Sequence, residues 1–274
     1  MRNSIVSPYG VETDSSGRLY VVDTFLKCVH VFELPGNGHR TFPEKETVLS
    51  SPIDIAVDND ADRIYVTDSK DGVVRVFEDT GRKLVGEIGR GTLKRPTGIA
   101  VNGKTSELLV VDTVSSTVFR YALDTHRLKG IIGGSGREEG RFHYPTNISV
   151  TGEGAILVSD SLNFRVQVFS PEGTFVRSFG RAGDSPGYFS RPRGVAADSD
   201  GNTYVVDALF DNVQMFDSKG QLLMAFGHPG HGYGELWLPT GIFIDKDDLI
   251  YVSDSYNKRV QIFRYLKYDE GVGQ

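Results

Sequence analysis

The feature that most limits what this chain can fold into is a tetrad that recurs six times. Tyr20-Val21-Val22-Asp23 is followed by Tyr65-Val66-Thr67-Asp68, Leu109-Val110-Val111-Asp112, Leu157-Val158-Ser159-Asp160, Tyr204-Val205-Val206-Asp207 and Tyr251-Val252-Ser253-Asp254. The aspartates are 45, 44, 48, 47 and 47 residues apart. A period of this size marks a repeat architecture. Three more landmarks keep register with each Asp. A proline lies 15 or 16 residues before it (Pro8, Pro52, Pro96, Pro145, Pro192, Pro239). An aromatic lies nine residues after it, and an apolar residue (Ile5, Leu49, Leu93, Phe142, Phe189, Leu236) lies three before each proline.

One unit reads as a four-stranded antiparallel sheet. In the fifth, Gly194–Ala197 is followed by a turn at Asp198–Gly201 and a second strand at Thr203–Val206. Val213–Phe216, a turn at Asp217–Gly220 and Leu222–Phe226 complete it. Turn-forming residues between short β-branched and aromatic runs are the expected punctuation. Such a sheet cannot bury both faces alone, and radial packing around an axis solves this. The expectation is therefore all-β: a six-bladed β-propeller forming a single domain over 1–274, with blades starting near 8, 52, 96, 145, 192 and 239. An apolar fraction of 39% suffices for its core. No segment keeps a helical apolar period over three turns. The last repeat has no room for a proper fourth strand, so Asn3–Val6 is expected to close the ring beside it, with the C-terminal segment. That short start suggests a natural chain beginning before Met1. A trimmed export signal would fit the same picture, and compartment stays open.

The repeated string of proline, Gly-[Val/Ile]-Ala, Tyr-Val-x-Asp and Asn-x-Arg-Val-Gln-Val-Phe resembles the NHL repeat. The clearest copies are Ser159–Phe169 and Ser253–Phe263. Gly140–Pro145, Gly187–Pro192 and Gly234–Pro239 match the stretch that precedes it. The resemblance covers about residues 5–266. It implies the six-bladed fold, and a function among RNA-binding platforms, protein-binding platforms and metal-dependent lyases or hydrolases. A fold alone does not choose between them.

The tetrad aspartates invite a catalytic reading, but a residue present in every blade serves the blade. Each is expected to accept hydrogen bonds from loop groups, with Arg165 and Arg259 as optional ion-pair partners. Cys28 is the single cysteine, so no internal disulfide or multi-cysteine metal cluster forms. The histidines do not read as a convergent metal trio. Gly133–Gly136 lacks the Lys-[Ser/Thr] of a phosphate loop. Two residues after proline most blades carry glycine, whereas the second and fourth carry Asp54 and Asn147. With Glu12, these could place oxygen ligands for calcium or another divalent cation at the channel mouth. The resemblance makes that a lactonase- or lyase-like alternative. The leading reading needs no cofactor and no catalysis.

Net charge is −6, which disfavours nucleic acid as a partner. Sorting residues by face shows more. Loops joining the second and third strands, and those joining blades, share one face and gather basic and aromatic residues. Arg95, Arg141, Tyr144, Phe164, Arg191, Arg193, Phe210, Trp237, Tyr256 and Lys258 are the candidate binding residues, and Arg, Tyr and Trp are the usual material of binding hot spots. No apolar run is long enough to span a membrane. The reading expects a monomer whose top face holds a protein, peptide or other anionic ligand, with RNA binding as a further alternative.

Overall fold

Five of the six repeat prolines, Pro8, Pro52, Pro96, Pro145 and Pro192, open an innermost strand, because an edge position next to the axis does not need its missing N–H. The computed structural model describes residues 5–36, 38–44 and 48–266. The first five repeats each form a four-stranded antiparallel sheet in sequence order. Blade five comprises Pro192–Ala197, Thr203–Asp207, Asn212–Phe216 and Leu222–Phe226. Blade six has three strands among the described residues, Ile242–Ile244, Leu249–Asp254 and Arg259–Arg264.

Six apolar clusters hold the ring, and each lies between neighbouring blades. One joins Val22, Val29 and Phe42 of blade one to Ile55, Val66 and Phe77 of blade two. Another closes the ring, joining Val11, Leu19 and Val21 of blade one to Tyr251 of blade six. The tetrads are buried throughout because both faces of each sheet meet a neighbour. The residues three before each proline are the plugs: Leu49, Phe142, Phe189 and Leu236 are at most 1% exposed. Truncating such a phenylalanine to alanine typically costs about 3–5 kcal/mol.

The tetrad aspartates are all fully buried, and they lock the loop arriving from the preceding blade. The backbone N–H two residues before each proline donates to the Asp of its own blade at 2.6–2.8 Å (Val6, Ser50, Lys94, His143, Ser190, Trp237). Arg165 and Arg259 add ion pairs to Asp160 and Asp254 at 2.9 and 2.7 Å. Gln167 and Gln261 donate to Asp160 and Asp254 at 3.0 Å, and in blade one His30 takes their place, with Nε2 3.5 Å from Asp23. At the opposite end of the second strand, the hydroxyls of Tyr20, Tyr204 and Tyr251 donate to Asp14, Asp198 and Asp245.

In four blades the residue after the Asp stitches the next blade. The hydroxyls of Thr24, Ser69, Thr113 and Ser255 donate to the carbonyls of Pro52, Pro96, Pro145 and Pro8. The last bond, 2.5 Å long, runs from blade six back to blade one. This corrects the expected closure. Asn3 lies outside the described residues, and Ile5 and Val6 are not in a strand. Ile5 instead packs into the cluster between blades six and one. Val6 spends its N–H on Asp23, the role that loop residues play in every other blade.

Candidate functional site

The inner strands do not run straight past the axis. Pairing with the second strand shifts register just after the opening proline, between Pro8 and Val11, Pro52 and Ile55, Pro145 and Asn147, and Pro192 and Val195. Such a bulge re-aims the side chains beside it. The residues one and two after proline therefore reach the axis: Tyr9, Ile53, Thr146, Arg193 and Thr240, then Asp54 and Asn147. Four blades have no room for a side chain at the second position. A Cβ on Gly98 would lie 2.6 Å from the Asn147 Cα, and one on Gly10 2.3 Å from Asp54 Oδ1. Glycine at these points is what lets Asp54 and Asn147 cross the axis.

They cross it by bonding to each other. Asn147 Nδ2 donates to Asp54 Oδ2 at 2.9 Å, and Ile99 N donates to the same oxygen at 3.2 Å. Asn147 Oδ1 accepts from Val195 N at 3.1 Å. The bar divides the axial space into an upper cavity of about 220 Å³ and a lower one of about 190 Å³, both lined by Asp54, Asn147 and Gly241. Burial pushes the Asp54 carboxyl up to about 7, against the lowering effect of its Ile55, Ile99 and Asn147 hydrogen bonds. Burial also raises Glu12 well above the usual carboxylate range, and the charge of Asp54 adds to it.

The upper cavity collects Arg95, Tyr144, Arg191 and Arg193, four of the candidate binding residues. Arg95 Nη1 donates to Tyr144 Oη at 3.2 Å. Arg193 Nη1 donates to the hydroxyl of Tyr9, whose ring lies 5.6 Å from the guanidinium carbon. Tyr9 was not among the candidates. Its signal was its place one residue after the first proline, equivalent to Arg193.

The other candidates lie elsewhere. Trp237 and Tyr256 form a rim cluster on blade six with His231, ring centroids 4.5 Å (His231–Trp237) and 5.0 Å (Trp237–Tyr256) apart. Lys258, exposed and with φ of 57°, ends that loop. Arg141 folds back along its own loop, with Nη1 on Gly133 O at 3.0 Å. Phe164 is packed against the core between blades four and five, and Phe210 is half-buried. The exposed apolar tips stand at a different register, two residues after each tetrad Asp. Phe25, Val114, Leu162, Leu209 and Tyr256 are 41–71% exposed there, and blade two has Lys70. They form a broken apolar ring on the top face, and Leu162 also lines the mouth.

Glu12, Asp54 and Asn147 all border the lower cavity, but they do not form a ready cation cage. Asn147 has committed its carbonyl oxygen to Val195 and its amide to Asp54, and Glu12 Oε1 accepts from Val57 N at 3.1 Å. Among the described residues no group of three His, Cys, Asp or Glu side chains is placed to hold a metal. Among the described residues no histidine lines either axial cavity. Asn147-Ile148-Ser149 is a formal glycosylation sequon, but Asn147 lies on an innermost strand with its amide bonded to Asp54.

Comparison with known proteins agrees with this geometry. The NHL repeat model matches residues 236–263. The rat E3 ubiquitin-protein ligase NHLRC1 is 29% identical over 182 residues, covering 61% of this chain and 44% of that protein. Human tripartite motif-containing protein 2 is 30% identical over 132 residues, covering 48% of this chain and 15% of that protein. The chain thus spans less than half the length of either relative. Virginiamycin B lyase from Staphylococcus aureus superposes with a TM-score of 0.68 over 96% of this chain and 86% of its own, at 14% identity, a likeness of fold. Among the described residues no helix is long and apolar enough to cross a membrane. With six tetrads in register, a matched repeat at 236–263 and six blades around one axis, the chain is a six-bladed β-propeller that carries the NHL repeat.

Proposed function

We propose that the chain is a non-catalytic binding platform whose top face holds a protein or peptide partner. The observation that carries this reading is the broken ring of apolar side chains. Five of six equivalent loop tips present an apolar side chain to solvent, although a solvated polar residue would serve a hairpin tip equally well. Exposed apolar side chains repeated at one register of one face make that face the candidate interaction surface. The Trp237–Tyr256 pair, its rings tilted by 33°, supplies rigid aromatic area of the sort that dominates interface energetics. A relative that is an E3 ubiquitin-protein ligase is consistent with a propeller used among proteins.

The test is selection of random peptides displayed on phage against the immobilised chain. Peptides enriched on the wild type should lose at least about tenfold in affinity for a Phe25→Ser, Leu162→Ser, Tyr256→Ser triple variant. All three side chains are exposed, so the variant should melt as the parent does. Enriched peptides that bind the triple variant unchanged would refute the assignment of this face.

A further inference from the structure

We infer that the upper axial cavity is a carboxylate socket, in which Arg95, Arg191 and Arg193 receive an acidic side chain or chain end of a bound peptide. This deepens the platform reading and rests on it. The argument starts from charge pairing. Several arginines elsewhere have carboxylate partners: Arg18 with Asp14, Arg75 with Asp71 and Glu87, Arg120 with Glu107, Arg165 with Asp160, Arg259 with Asp254. Among the described residues none of the three arginines at the mouth is in an ion pair. Their partners are neutral: Tyr144 for Arg95 and Tyr9 for Arg193. The Nε of Arg193 is buried and has no acceptor.

Guanidinium groups gathered at one small mouth without an ion-pair partner repel each other and keep unused donors. A guanidinium offers five N–H groups in a planar fork that matches a carboxylate. The walls offer little competition for a ligand, because their hydroxyls are already used. Thr113 donates to Pro145 O and Thr146 to Arg193 O.

Two observations narrow the ligand. The floor carries the Asp54 carboxyl, which penalises a dianion more than a monoanion and so favours carboxylate over phosphate. Leu162 belongs both to the cavity wall and to the apolar ring. A chain lying across the ring is thereby led to the socket, where one acidic group can turn inward.

Hexaglutamate labelled with fluorescein at its N-terminus is the probe, read by fluorescence anisotropy at low salt. The wild type should bind it saturably. An Arg191→Gln, Arg193→Gln variant should bind at least about tenfold more weakly, as should Arg95→Gln, which covers the case of a disturbed Arg193 site. Lys83→Gln with Lys246→Gln removes equal charge from exposed positions away from the mouth and should leave binding unchanged. The inference is overturned by lack of saturation at about 1 mM probe or by equal affinity in the arginine variants. It is equally overturned by inorganic phosphate or labelled oligouridylate binding more tightly than hexaglutamate in an Arg191- and Arg193-dependent way. If hexaglutamate fails while selected peptides still depend on Phe25, Leu162 and Tyr256, the socket falls and the platform stands.

Discussion

Replacing Asp54 by asparagine should remove a pH dependence of stability that the wild type carries. Asp54 is 8% exposed, and burial pushes its carboxyl from an ordinary 3.8 to about 7. Between those values the folded chain keeps a proton that the unfolded chain has released. The native state then binds more protons than the unfolded one, so stability falls as pH rises. Below about pH 4 both states are protonated and the contribution is complete. Above about pH 7 both are ionised and it is lost. A separation of about 3 pH units at 1.36 kcal/mol each amounts to about 4 kcal/mol. Asp54→Asn keeps an acceptor for Ile99 N and Asn147 Nδ2 while removing the titration, together with the charge that adds to the raised Glu12. Urea unfolding at pH 4 to 8, followed by circular dichroism and by the fluorescence of the single tryptophan, Trp237, measures the difference. Wild-type stability minus variant stability should decline by about 4 kcal/mol across the range, steepest between pH 5 and 7. A difference that stays constant within about 0.5 kcal/mol would show that Asp54 is solvated like a surface carboxylate, and the reasoning would fail.

Two further outcomes test the ring itself. Ala208 occupies the position where Thr24, Ser69, Thr113 and Ser255 stitch the next blade. Ala208→Ser should supply the missing donor to Pro239 and raise stability by about 0.5–1 kcal/mol, whereas Ser255→Ala should lower it by about 1 kcal/mol. Chemical denaturation decides both, and a destabilised Ala208→Ser would count against the stitch. Gly98→Ala should cost about 3 kcal/mol, since its Cβ meets backbone of the facing strand. Gly103→Ala, whose Cβ meets nothing within 4 Å, should stay within about 0.5 kcal/mol of wild type in the same assay.

Much of the architecture is legible in the chain because the repeat is a count. Six aspartates in register give six blades, and the apolar residue three before each proline is the plug that the structure finds at Leu49, Phe142, Phe189 and Leu236. The fifth blade's strands lie within two residues of where alternation and turn chemistry put them. The site was harder to read, for a geometric reason. Strand alternation alone does not say which residues after a proline face the axis, since the bulge there resets the period. Hence Tyr9 went unnoticed, and the pairing of Asp54 with Asn147, 93 residues apart, was invisible. Composition likewise could not separate the exposed tips from Phe164, because aromatic character is shared and only depth differs. Comparing the six loops position by position would have shown the hydroxyl at the first place after Asp and the apolar tip at the second.

The Asp54–Asn147 bar has a consequence for how anything enters the mouth. It puts a floor beneath the upper cavity, so solvent displaced from that cavity leaves past the arginines at its mouth. A partner that sealed the loop tips first would trap that solvent beneath it. The inserted group must therefore arrive before the rim closes, and electrostatic attraction by the arginines, which acts over longer range than apolar contact, imposes that order.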